Sequence, residues 1–219
     1  MPVNTKYIAS FEADNFFHII AKAVGNNLLF HSDENRSFFL KKYLSYSNGY
    51  MYTYAYTLMD NHVHWLVKCN SHEGLIRHLS GIPSKSRKKH QQKFLLNELT
   101  FEEALEFQCK DFFISYAMAF NKVNKRAGSL FINPFRRIGI TDDAHLTQLI
   151  IYIHANVLKH FKKKDFQNFK WSSYQSILSN NPTHLKRAEV LQWFGGKERF
   201  ITTHLENAEY YYNHPWGLE

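Results

Sequence analysis

Two runs of strand-forming residues face each other across the dipeptide Asp60-Asn61, and this feature most limits what the chain can fold into. Residues 50–59 are dense in Tyr and Thr, side chains that suit a pleated, half-buried surface. Residues 62–68 return as a second such run, and the tight reversal between them makes an antiparallel hairpin. Side chains alternate along a strand. His62, His64 and Leu66 therefore share one face of the returning strand, and Val63, Trp65 and Val67 share the other.

The flanking segments supply the rest of a sheet and its helices. Residues 16–24 alternate as a first strand and end at Gly25-Asn26-Asn27. Ser32 or Asp33 caps a helix carrying Phe38, Phe39, Lys42, Tyr43 and Tyr46, which Asn48-Gly49 stops. Between Ser71 and Thr100 the pattern loosens, and Gly81-Ile82-Pro83-Ser84 breaks the chain. This stretch reads as a helix followed by a mobile loop, inserted at about 80–100, that carries the basic run from Lys85 to Lys93. A long helix resumes at Phe101 or Glu102 with Leu105, Phe112, Tyr116, Phe120 and Val123 on one stripe. Residues 135–140 form a fourth strand, and Thr141-Asp142-Asp143 caps a last core helix to about His160. The order strand, helix, two strands, helix, strand, helix gives an α+β fold. Its expected centre is a ferredoxin-like split βαβ antiparallel sheet with one additional helix. Residues 1–160 then form the main domain. Residues 161–219, with Trp171, Trp193, Phe194 and Phe200, pack back onto it as short helices.

Composition narrows the function classes. With 219 residues, 19 Phe and 13 Tyr, the chain has ample material for a core, which excludes wholesale disorder. Apolar runs such as Leu149 to Ile153 are too short to span a bilayer, so no membrane partner is expected. The first residues lack the apolar stretch of a signal peptide, and the two cysteines, Cys69 and Cys109, form no C-x-x-C pair. These features point to a reducing, cytoplasmic setting. The formal net charge of +8 points to a polyanionic partner.

His62 and His64 are the sharpest chemical feature: two imidazoles on one face of a rigid strand, suited to binding a metal. By itself H-x-H is a weak signal in a chain with 13 His, and such a pair is more often structural or solvated than a ligand pair. A second pattern lies on the last core helix. Leu146, Leu149, Ile150, Ile153 and Val157 form its apolar stripe, while Tyr152 and Asn156 sit one turn apart on a flank beside it. A boundary tyrosine in water and an amide at a fraying end would give the same spacing.

The ordered set of motifs resembles the single-tyrosine transposases of the HUH superfamily, in particular the REP-associated tyrosine transposases. It comprises the hairpin Tyr56-Thr57-Leu58-Met59-Asp60-Asn61-His62-Val63-His64-Trp65-Leu66-Val67, then Ser115-Tyr116, Phe120-Asn121 and Arg126-Ala127-Gly128-Ser129-Leu130-Phe131. Asp142-Asp143-Ala144, Tyr152-Ile153-His154-Ala155-Asn156 and Trp171-Ser172-Ser173-Tyr174 follow. The resemblance implies that His62, His64 and Asn156 are metal ligands and Tyr152 a nucleophile. It implies metal-dependent nicking and rejoining of single-stranded or hairpin DNA through a 5′-phosphotyrosine. Val157 stands where the family often has Pro, and Pro134 where it usually has Gly or Arg.

Two imidazoles and an amide suit Mn²⁺ by donor softness, while cellular abundance favours Mg²⁺. The phosphates would be met by Lys85, Arg87, Lys88, Lys89 and Lys93 in the basic segment, Lys125 and Arg126 after the long helix, and Arg136 and Arg137 on the fourth strand. Such a protein would be nucleoid-associated, and a homodimer is compatible with the pattern. Two other readings use the same residues: a domesticated DNA-binding protein of this fold without turnover, and a nuclease that activates water and keeps Tyr152 for structure.

Overall fold

The computed structural model describes residues 7–142, 144–161 and 165–213. Its centre is a four-stranded antiparallel sheet of β1 (Phe16–Lys22), β2 (Met51–Leu58), β3 (His62–Cys69) and β4 (Arg136–Ile140), in the order β2-β3-β1-β4. That order is the split βαβ arrangement expected from the sequence. β3 is a central strand, so both of its faces are covered. Val63, Trp65 and Val67 enter one core, and Leu66 enters the other.

The first core lies under α1 (Asp33–Ser47), α2 (His72–Ser80), α3 (Lys89–Leu95) and α4 (Phe101–Val123). Phe39 and Tyr43 stack on Trp65, with ring centroids 5.7 and 5.0 Å away, and Phe112 closes the cluster. The helix ends are set by local chemistry. Ser32 accepts the Asn35 N–H at the start of α1, and Thr100 with Glu103 forms a capping box on α4. Gly49 follows α1 at φ +76°, a left-handed conformation, and a Cβ there would collide with His78.

Three expectations are corrected. The basic segment is folded: Ser84–Ser86 makes a 3₁₀ turn and α3 follows, with Gln91 donating to the Tyr50 hydroxyl and Phe94 in the core. The signal was hidden because only Phe94 and its neighbours are apolar there, while His90 and Gln91 are buried through hydrogen bonds. Val123 is 74% exposed and leaves the α4 stripe, because the helix ends there. The chain after residue 165 is not all short helices. α6 (Tyr174–Leu178) and α7 (Arg187–Phe194) are short, but α8 (Lys197–Asn213) is a 17-residue helix.

The second core lies on the His62/His64 face, under α5 (Ala144–Phe161) and the helices that follow it. β2 anchors the start of this layer. The Leu58 N–H donates to the Trp171 carbonyl and the Ser173 N–H to the Tyr56 carbonyl, each at 2.9 Å. The Trp171 indole N–H donates to Asp33 at the start of α1, 2.7 Å away. Trp171-Ser172-Ser173-Tyr174 is thus the seam that closes the C-terminal helices over α5.

Candidate active site

His62 and His64 stand on β3 between β1 and β2, and the antiparallel register decides what faces them. Ile20 lies across from His64, and Lys22 across from His62. His18, two residues before Ile20, is diagonal to His64 on the same face. The two rings stack with centroids 5.2 Å apart, and His18 Nε2 lies 2.9 Å from His64 Nδ1, a hydrogen-bond distance. His62 packs edge-on to His64 at 4.9 Å, and its Nδ1 is 2.7 Å from the Asn61 side-chain oxygen.

Tyr152 and Asn156 come down on this face from α5. The Tyr152 ring is edge-on to both His64 and His18, at 5.8 and 6.0 Å. Asn156 places its side-chain amide 3.5 Å from His64 Nε2. The fold therefore brings His62, His64, Tyr152 and Asn156 to one point, with His18 as a fifth member. All five are at most 3% exposed. Neither Tyr152 nor Asn156 is a boundary residue: both face the sheet histidines and are buried. The five side chains are closed off from solvent in this conformation.

A chain of hydrogen bonds fixes the height and rotation of α5. Thr57 on β2 donates to the Ile153 carbonyl at 2.7 Å. His204 Nδ1–H donates to the Phe200 carbonyl at 2.7 Å, which makes its Nε2 an acceptor in the neutral ring. His154 Nδ1–H then donates to His204 Nε2 at 2.9 Å, and the Ser173 hydroxyl donates to His154 Nε2 at 2.7 Å. The same hydroxyl oxygen accepts the Tyr56 N–H at 2.9 Å. Burial drives the neutrality this chain requires: desolvation lowers His154 well below the ordinary histidine range and His204 to about 4. His18 is lowered to about 3 for the same reason.

The expected DNA-contacting cations are scattered over the molecule. Arg87 donates to the Leu79 and Ser80 carbonyls at the end of α2, Lys88 pairs with Asp111 at 2.7 Å, and Lys93 with Glu98 at 3.8 Å. Arg126 braces its own loop through Asn121 and the Ser129 carbonyl, and Arg136 lies over the Tyr7 ring. Arg137 is held by Glu102, Glu106 and the Ala9 carbonyl, its side chain 6% exposed. Lys85, Lys89 and Lys125 are exposed. The α3 segment belongs to the layer across the sheet from the histidine face. Lys125 instead lies in a loop at the His62 end: Ile132 N–H bonds the Lys22 carbonyl, and Ala23 N–H bonds the Asn61 carbonyl.

Sequence reasoning missed two residues, His18 and Lys22. Both belong to a recognised strand, and alternation already placed them on one face. Only the register of β1 against β3 shows that this face is the one carrying His62 and His64. Lys22 is exposed beside His62, at the rim of the closed site.

The donor set fits a divalent ion. A histidine that ligates metal through one nitrogen has its other nitrogen held by a neighbour. Here Nδ1 of His62 is held by Asn61 and Nδ1 of His64 by His18, so both rings would use Nε2. The Asn156 side-chain oxygen would be the third ligand. Among the described residues there is no cluster of three His, Cys, Asp or Glu side chains that could hold a metal ion, so a metal here would need the Asn156 amide as well as the two imidazoles.

No family model matches the chain, and no curated protein matches it. Its fold is that of a solved structure described as a REP-associated tyrosine transposase bound to a REP hairpin. The likeness has a TM-score of 0.52 and 10% sequence identity, over 80% of this chain and 86% of the other. At that identity the likeness is one of fold. Among the described residues, no helix is long and apolar enough to cross a membrane.

Proposed function

We propose that the protein is a DNA-nicking and rejoining enzyme of the REP-associated tyrosine transposase kind, acting on single strands that carry a hairpin. The observation that carries this reading is the convergence of Tyr152, Asn156, His62 and His64 on one face of the sheet in that fold. In the reaction, the Tyr152 phenolate oxygen attacks the scissile phosphorus in line. A Tyr152–O–P bond forms and the P–O3′ bond breaks, and the proton lost by the phenol is matched by the one gained at the 3′-oxygen. The ester keeps the energy of the broken bond, so attack by another 3′-OH reseals DNA and restores the phenol. A divalent ion, Mg²⁺ or Mn²⁺, bound by His62, His64 and Asn156 would polarise a non-bridging oxygen and offset the phosphate charge. Lys22 and Lys125, exposed at the His62 end of the sheet, are suited to hold the flanking phosphates.

The burial of Tyr152 favours a second reading, a domesticated hairpin-binding protein of this fold without turnover. One assay separates the two. Labelled hairpin-bearing single strands are incubated with the protein and Mn²⁺ or Mg²⁺ and resolved on a denaturing gel. A covalent adduct that Tyr152→Phe abolishes, with DNA affinity and folding retained, supports the enzyme. Binding without cleavage supports the second reading, and cleavage without an adduct a water-activating nuclease. An adduct that survives in Tyr152→Phe would move the nucleophile to another tyrosine, such as Tyr174 or Tyr116.

A further inference from the structure

His18 is buried, stands beside the proposed metal ligand, and has no role in the reaction as derived above. One ring nitrogen, Nε2, is 2.9 Å from His64 Nδ1. The other, Nδ1, is buried with no hydrogen-bond partner among the described residues. An imidazole in that position is a poor choice for the core. Burying a polar atom without a partner costs stability, and a Phe or Leu on β1 would fill the space without that cost. The neighbours show what stability alone selects there: Phe17, Ile19, Ile20 and Ala21 are apolar and buried. The feature that an apolar side chain could not supply is the contact with His64.

We propose that His18 is a positioning residue. Its Nε2 accepts the His64 Nδ1–H, which orients the His64 ring and keeps the Nε2 lone pair turned toward Asn156 and a divalent ion. The proposal rests on the metal reading of His62, His64 and Asn156. The geometry favours it in two ways. The stacked arrangement, with 23° between the ring planes, leaves His64 Nε2 on the Asn156 side, 3.5 Å from the amide nitrogen. Both histidines also sit on adjacent paired strands, so the contact is set by β1–β3 register and does not depend on loop conformation. A neighbour that holds the non-ligating nitrogen typically changes metal affinity by about 10–100-fold when it is removed.

The test uses the full chain without DNA and reads Mn²⁺ binding from the electron paramagnetic resonance signal of the free ion, alongside urea unfolding. His18→Phe removes the acceptor and keeps the bulk. It should weaken Mn²⁺ binding about 10–100-fold with metal-free stability close to that of the parent chain, because the His64 N–H it leaves without an acceptor offsets the unpartnered His18 nitrogen it removes. A residue serving only the fold would show the reverse, lower stability with unchanged affinity. His18→Gln, whose amide oxygen can accept from His64 Nδ1, should recover part of the lost affinity. Should His18→Phe fail to fold, the Gln variant is compared with His18→Leu by the same two measurements. Parental Mn²⁺ affinity in folded His18→Phe or His18→Leu, with affinity lost in His64→Ala, would overturn the role of His18 alone. Unchanged affinity in both His64→Ala and His62→Ala would overturn the metal reading and this inference with it.

Discussion

The second core contains two buried histidine pairs with the same 2.9 Å nitrogen–nitrogen distance and opposite designs. His154–His204 is complete: its four ring nitrogens meet Ser173, each other and the Phe200 carbonyl, and one direction of donation runs through all of them. His18–His64 is incomplete. It ends at one side on His18 Nδ1, which has no partner among the described residues, and meets the Asn156 amide at the other. A closed chain fixes both tautomers and uses every polar atom for stability. An open chain gives up some stability to present a nitrogen to something else. The first pair joins α5 to α8 and the second lies on the sheet beneath α5, and His154 is only two residues from Tyr152. The first pair holds the helix that carries Tyr152, and the second lies opposite that tyrosine.

The largest expected effect comes from breaking the closed chain. His204 is packed among Phe166, Tyr174, Phe194 and Phe200, so His204→Ala leaves a cavity and an unsatisfied His154 N–H. The expected loss is about 3 kcal/mol in urea unfolding. Ser173→Ala, which removes one hydrogen bond and no ring, should cost about 1–2 kcal/mol. If His204→Ala costs no more than His18→Phe, the two pairs do not differ in the way their hydrogen bonds imply.

Acid should separate them less sharply. The folded state holds His154, His204 and His18 neutral, with pKa values below the unfolded value near 6.5. A depressed pKa contributes stability that is full above 6.5 and is lost as pH falls toward the folded pKa, about 4 for His204 and about 3 for His18. Each histidine can add at most about 1.4 kcal/mol per pH unit to that slope. Unfolding measured from pH 7.5 to 4.5 should show stability falling from about pH 6.5 downward. His204→Phe, which cannot be protonated, should flatten the fall. A slope unchanged by that substitution would place the acid sensitivity in other groups.

The contrast also explains what could be read from the sequence. The sheet order was legible because the Asp60-Asn61 reversal and the alternation on either side of it are local. His62 and His64 were legible as neighbours because they share a strand, and Tyr152 and Asn156 because they share a helix. His18 and Lys22 could not be assigned, since their meeting with β3 depends on register, a relation between segments about 40 residues apart. Nor could the burial of His154, which depends on α8 returning over α5 from the far end of the chain. The basic segment misled for a related reason. Its charge reads as solvated, yet His90 and Gln91 are buried by hydrogen bonds to Gln108 and Tyr50.

The smallest effect expected is on DNA binding, and it sharpens the comparison at the surface. Lys22 stands across from His62 at the rim of the open pair, and Lys125 lies in the loop joined to the same strand end. Lys186, near the opposite edge of the sheet, pairs with Glu189 and lies over the Tyr52 ring. A cation that contacts a phosphate releases counterions. Its removal should reduce the slope of log K against log salt by about 0.7 for a single strand. Lys22→Gln and Lys125→Gln should each show that reduction with hairpin-bearing single strands, measured by fluorescence anisotropy across a salt series. Lys186→Gln should leave the slope unchanged. Equal slopes for all three variants would mean that the strand does not pass the His62 end of the sheet. The reduction appearing instead in Lys85→Gln and Lys89→Gln would route the DNA over α3, on the layer across the sheet from Tyr152, and would leave the open histidine pair without its proposed substrate.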